Sequence, residues 1–124
     1  MTSRDPRPPA HVQPYVDVLG ADGAISFLLT FGGAELYLAT SPKGRSRLVQ
    51  LVGLEKATEL ARAAEHLPRR VPTAKPWIAQ VWKSRGLATA EIARRLHMSD
   101  VSVRGWLKRA TQPEPDDSRQ MRLF

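Results

Sequence analysis

The chain has 124 residues, enough for one modest domain or for a small association unit joined to a compact head, and too few for two large cores. It has no cysteine, which excludes disulfides and thiolate zinc sites, and its three histidines, His11, His66 and His97, lie too far apart in sequence for a ligand set; no metal or cofactor is expected. Lys and Arg outnumber Asp and Glu by 19 to 12, a net charge of +7, which points to a polyanionic partner. Apolar runs fall short of the roughly 20 residues that span a bilayer, and no signal-type apolar segment follows the basic N-terminus, so a cytoplasmic, nucleoid-associated protein is expected.

Residues 1–14 hold four of the ten prolines and few large apolar side chains, and read as a disordered arm. Arg4 and Arg7 make it a candidate minor-groove arm, against the commoner reading of a plain terminus.

Residues 15–72 contain a diverged internal repeat, seen when Gly20 is laid over Gly53, 33 residues on. Val18-Leu19-Gly20 then matches Leu51-Val52-Gly53, Asp22 matches Glu55, Ala24 matches Ala57, Phe27 matches Leu60 and Leu38 matches Val71. Each unit reads as a short helical turn, a glycine, an amphipathic helix and a brief extended segment that cannot bury its apolar face alone. Taken by itself, AISFLLTFGGAELYLAT allows a hairpin turning at Gly32-Gly33. The second copy decides for helix, because Leu54, Ala57, Leu60, Ala61 and Ala64 recur at helical spacing. By analogy, residues 21–31 are predicted helical, 34–39 a strand, and 41–47 a loop. Phe27, Leu28, Phe31, Leu36, Leu38, Leu54 and Leu60 would be buried partly across two subunits. Residues 68–76 form an extended basic connection.

Residues 73–110 read as a three-helix head. Pro76 suits a first helical turn, Trp77, Ile78, Val81 and Trp82 make one apolar face, and Gly86 is a stop. A second helix sets Ile92, Ala93 and Leu96 against Glu91, Arg94 and Arg95. Ala93 suits a close helix crossing, and His97 stands where the turn favours positive φ. Ser99 or Asp100 then caps a third helix that buries Val103, Trp106 and Leu107. This is the pattern of a helix-turn-helix, whose second helix enters the major groove. Charge separates it from an ordinary three-helix core. Ten cations (Arg69, Arg70, Lys75, Lys83, Arg85, Arg94, Arg95, Arg104, Lys108 and Arg109) face only Glu91 and Asp100, the footprint of a phosphate binder. Candidate contacts with double-stranded DNA are Thr89, Arg94, Arg95, Ser99, Asp100, Val101, Ser102, Arg104, Gly105, Lys108 and Arg109.

The tail, 111–124, begins as a Pro- and acid-rich linker read as disordered. Its last five residues, Gln120-Met121-Arg122-Leu123-Phe124, resemble the Gln-x-x-Leu-Phe peptide that docks bacterial replication and repair proteins on the sliding clamp. Gln120, Met121, Leu123 and Phe124 are the candidate contacts; a terminus that merely ends in apolar residues is the equal alternative.

The LVGLEKATELARA and FGGAELYLA stretches, with a C-terminal helix-turn-helix carrying EIARRLHMS, resemble the Mor (middle operon regulator) transcription activators of phages and prophages. The resemblance covers roughly residues 15–109. It departs where Glu65-His66 replace the glycine pair and where Trp106 takes a position more often aliphatic. It implies a homodimer associating through its N-terminal helices and short strands, with two heads on a dyad-symmetric site and RNA polymerase as a further partner.

The expected fold is mainly α with one or two short strands: an N-terminal helical dimerisation unit and a C-terminal helix-turn-helix head. The expected function is sequence-specific DNA binding by a dimeric phage- or mobile-element-type regulator. A replication-linked adaptor on the clamp and a small-terminase-like assembly subunit remain open. No nucleophile, base and orienting group recur at usable spacing, so an enzyme is not expected.

Overall fold

The computed structural model describes residues 6–111 and is mainly helical. In chain order the helices are α1 (Gln13–Phe31), α2 (Leu36–Thr40), α3 (Pro42–Val52), α4 (Leu54–Ala63), α5 (Lys75–Ser84), α6 (Thr89–Leu96) and α7 (Asp100–Thr111). A 3₁₀ turn, Ala64–His66, follows α4.

Two glycines set the shape of the N-terminal unit. α1 is broken at Gly20, with φ 78° and ψ 168°, and α3 gives way to α4 at Gly53, with φ 90° and ψ 160°. This backbone region is essentially closed to residues with a Cβ. The break folds α1 back on itself: Tyr15 and Phe27 would stand about 18 Å apart along a straight helix, yet their rings stack with centroids 5.4 Å apart. Phe31 continues the stack at 5.2 Å from Phe27. The repeat is therefore structural. Ala24 and Ala57 are both fully buried, as are Phe27 and Leu60, and so are Tyr15 and Leu48 at the same offset. Correspondence reaches back to Pro9 and Pro42, each opening its unit's first turn; Val12 and Gln13 both donate their N–H groups to the Pro9 carbonyl. It ends after the second helix. Leu38 is exposed where Val71 is buried.

Three expectations for this unit are corrected. Residues 34–39 do not form a strand. The only pairing among the described residues is an isolated antiparallel bridge between Glu35 and Arg70, after which the chain turns into α2. Leu36 and Ala39, three apart, are buried on α2 while Tyr37 and Leu38 face solvent, which is helical rather than alternating burial. Residues 41–47 are not a loop but the start of α3, with Pro42 in its first turn and the Ser41 hydroxyl accepting the Gly44 N–H at 3.3 Å. Gly44 is there for packing, since a Cβ would lie 1.8 Å from the Leu38 carbonyl oxygen. Residues 6–14 of the expected arm are packed, because Val12 is fully buried and the Pro6 carbonyl accepts a 2.9 Å hydrogen bond from the Trp77 indole N–H.

The apolar set expected to be shared between subunits divides. Phe27, Leu28, Leu36 and Leu60 are buried within one chain, and Leu38 and Leu54 are exposed. Leu54 sits on the first turn of α4, where Gly53 turns the helix start outward, so it leaves the apolar face that its spacing suggested.

The basic connection is tied to the first unit's end. Gly33 N–H donates to Val71 O at 2.7 Å, Val71 N–H to Ala34 O at 2.8 Å and Leu36 N–H to Arg69 O at 2.6 Å. Ala74, in the left-handed region at φ 51°, then turns the chain into α5. Asp22 on α1 pairs with Arg85 after α5, a second tie between the unit and the head.

Candidate nucleic-acid interface

The head is held by one side of α6 and α7 against a broadly buried α5. Trp77, Ile78, Ala79 and Val81 of α5, Ile92, Ala93 and Leu96 of α6, and Val103 of α7 are buried, with Trp82, Trp106 and Leu107 partly buried around them. Ile78, Val81, Ile92, Leu96 and Val103 are buried aliphatic side chains, each contributing about 1.5–3 kcal/mol. α5 packs on both α6 and α7, so the short pair α6–α7 is carried on a platform.

The turn between α6 and α7 has the expected chemistry. His97 lies at φ 58° and ψ 44°, and the Met98 N–H reaches back to Ala93 O at 2.9 Å, closing the end of α6. Ser99 accepts the Ser102 N–H at 3.1 Å and so starts α7. Its hydroxyl also lies 3.1 Å from that of Ser102, so Ser99, a candidate contact, is committed to the cap.

α7 turns Asp100, Val101, Arg104, Lys108 and Arg109 outward, with Ser102 and Gly105 half-buried between them. Val101 is 72% exposed, an apolar side chain that nothing in the fold covers. A Cβ on Gly105 would meet only the Arg109 guanidinium, at 3.8 Å, so this glycine is not required by packing. Asp100 in the first turn and Lys108 and Arg109 in the last complement the helix dipole.

α6 presents its cations differently. Glu91 bonds both guanidiniums, Arg95 Nε at 2.8 Å and Arg94 alongside it. The hydrogen bonds from Arg95 and then Arg94 hold the Glu91 carboxyl below its ordinary pKa. Arg95 also lies over the Trp82 ring, 5.7 Å from its centroid. Thr89, at the first position of α6, has its hydroxyl 3.5 Å from Lys83 Nζ. Other cations of the basic block are likewise engaged within the chain: Arg70 with the Gly33 carbonyl at 2.7 Å, and Lys75 with the Met98 sulfur at 3.8 Å. The structure thus brings Val101, Arg104, Gly105 and Lys108 together on one face of α7; Arg94, Arg95, Thr89 and Ser99 are engaged with neighbours, and Lys108 also has an interaction within the chain. The role of Glu91 was missed, although its spacing three and four residues before two arginines is legible in the sequence. Gln120, Met121, Leu123 and Phe124 lie outside the described residues.

Among the described residues no group of His, Cys, Asp or Glu could hold a metal ion, and no helix is long and apolar enough to cross a membrane. Compared with protein-family models, curated protein sequences and solved structures, the chain matches none.

Proposed function

We propose that the chain is a sequence-specific DNA-binding protein of the helix-turn-helix type, which reads the major groove with α7. The observation that carries this reading is the outward face of α7. It sets Arg104 and Val101 beside a glycine that no neighbour in the fold requires, on a helix whose other side is anchored by Val103. Arginine can bond two acceptors of guanine, valine can meet a thymine methyl, and glycine lets a groove edge approach. These are base-reading side chains on a rigid element, with Lys108 and Arg109 placed for the adjoining phosphates.

Such a head gains specificity when doubled. In the dimeric regulator reading, the exposed apolar residues Leu29, Tyr37, Leu38 and Leu54 are the candidates for contact with a second copy. Two heads would then meet half-sites about 34 Å, or a multiple of that, apart. Selection of bound duplexes from a random pool tests the reading: an enriched, dyad-symmetric motif supports it, and an unenriched pool refutes sequence-specific recognition. Light scattering on the same protein distinguishes a dimer from the ring expected of an assembly subunit.

A further inference from the structure

Residues 36–54 contain no Asp or Glu but carry Lys43, Arg45 and Arg47, all on α3. In sequence this cluster is masked by the acidic residues on either side of it. In the structure Leu48 turns fully inward and Val49 and Val52 partly so, while Lys43, Ser46, Arg47 and Gln50 stand together on the exposed side at helical spacing. Among the described residues, no side-chain hydrogen bond or ion pair engages Lys43, Arg45 or Arg47. That contrasts with the basic block of the head, where Glu91, Asp22, the Gly33 carbonyl and the Met98 sulfur already take up cations. Arg45, Ser46 and Gln50 also line an open cleft of about 720 Å³ with Thr40 and Pro42. The helix is a fixed platform: its Ser41 cap and the close contact of Gly44 with the Leu38 carbonyl lock it against α2, and its inner side packs on α1 and α4.

We infer that the exposed side of α3 is a second contact for the phosphate backbone of duplex DNA, separate from the base-reading face of α7. Lys43 and Arg47 supply charge there, half-buried Arg45 adds charge from the neighbouring cleft, and Ser46 and Gln50 supply hydrogen bonds to phosphate oxygens. The inference rests on the reading of α7 as a DNA-binding helix. The surface fits this ligand better than the other polyanions. It carries no aromatic side chain on which an unstacked base could lie, as single-strand binders do. α3 buries Leu48 and half-buries Val49, Leu51 and Val52, so its exposed side offers no broad apolar face to a bilayer.

The test uses the full chain and measures affinity for a random-sequence duplex across a range of salt concentrations. Each phosphate contact contributes about 0.9 to the slope of log affinity against log salt. The variant K43Q/R45Q/R47Q is therefore expected to lower the slope by about 2 to 3, with the melting temperature and the preference for a selected site over random duplex both unchanged. R104A serves as the contrasting variant, with a loss of that preference and a slope change of at most about one contact. A triple variant with the wild-type slope overturns the α3 contact and leaves the α7 reading standing. Failure of the unaltered chain to bind any duplex removes both. If the triple variant loses binding to phosphatidylserine vesicles or to single-stranded oligonucleotide while keeping duplex affinity, the surface has another ligand and the inference is wrong.

Discussion

Gly20 and Gly53, 33 residues apart in the chain, adopt nearly the same backbone conformation, φ 78° and ψ 168° against φ 90° and ψ 160°. Each joins two helices of one repeat unit, and each is followed by a buried alanine four residues on and a large buried side chain seven residues on. A Cβ at either position would meet no atom within 4 Å, so the requirement for glycine lies in the backbone and not in crowding. Replacing either by alanine is expected to cost about 1–3 kcal/mol, read as a lowered urea midpoint. An unchanged midpoint for both would show that the breaks can relax without penalty.

Tyr15 is buried with its ring stacked on Phe27, but its hydroxyl has no hydrogen-bond partner among the described residues. Burial raises the phenol's pKa above its ordinary 10.0. The fold therefore favours the neutral form, and this contribution is complete below the ordinary pKa and is lost as pH rises through the folded one. Tyr15→Phe removes the unsatisfied oxygen and is expected to raise stability by about 1 kcal/mol. It should also remove the alkaline loss. A destabilised phenylalanine variant would mean that the hydroxyl is bonded.

Glu91 holds Arg94 and Arg95 at neutral pH, and its lowered pKa keeps the carboxylate charged well into the acid range. Its small stabilising effect is present above the ordinary carboxylate range and disappears as pH falls through the lowered value. Glu91→Gln should free both guanidiniums for phosphate. Affinity for random duplex is expected to rise several-fold with a steeper salt dependence, by up to about two contacts. Unchanged affinity would place both arginines out of reach of DNA.

Gly105 sits in the middle of α7, where alanine would favour the helix by about 1 kcal/mol and meet only a flexible guanidinium. Gly105→Ala is therefore expected to stabilise the free protein and to weaken binding to a selected site. Thermal melts and titrations on one preparation check both. Higher stability with full affinity would mean that DNA does not approach this position.

The head was legible in the sequence because its signals are local: Pro76 near one start, Gly86 after one end, His97 in the turn and the Ser99 cap all act within a few residues. Burial followed from helical spacing for Ile78, Val81, Ile92, Leu96 and Val103. The reading failed between Ala34 and Arg47, where the helix signal was present and outweighed. Ser41-Pro42 is a cap followed by a first-turn proline, but Gly44 and the polar run around it favour a loop by propensity. What overrides propensity there is the contact between Gly44 and the Leu38 carbonyl, which only the tertiary structure shows. The engagement of Arg85 by Asp22 is of the same kind, since the partners lie far apart in sequence. A block of basic residues therefore overstated the charge available to a ligand, and the cluster on α3 was hidden in a unit with almost no net charge.

The reading of α7 as a base-contacting helix is tested most directly by Arg104→Ala on two duplexes, one carrying the motif enriched by selection and one of random sequence. Loss of a bidentate contact to guanine is expected to cost about 1–3 kcal/mol on the selected duplex and much less on the random one. The discrimination between the two should narrow by that amount. Equal losses on both duplexes would show Arg104 to be a phosphate contact, and no loss on either would contradict DNA recognition by this face of α7.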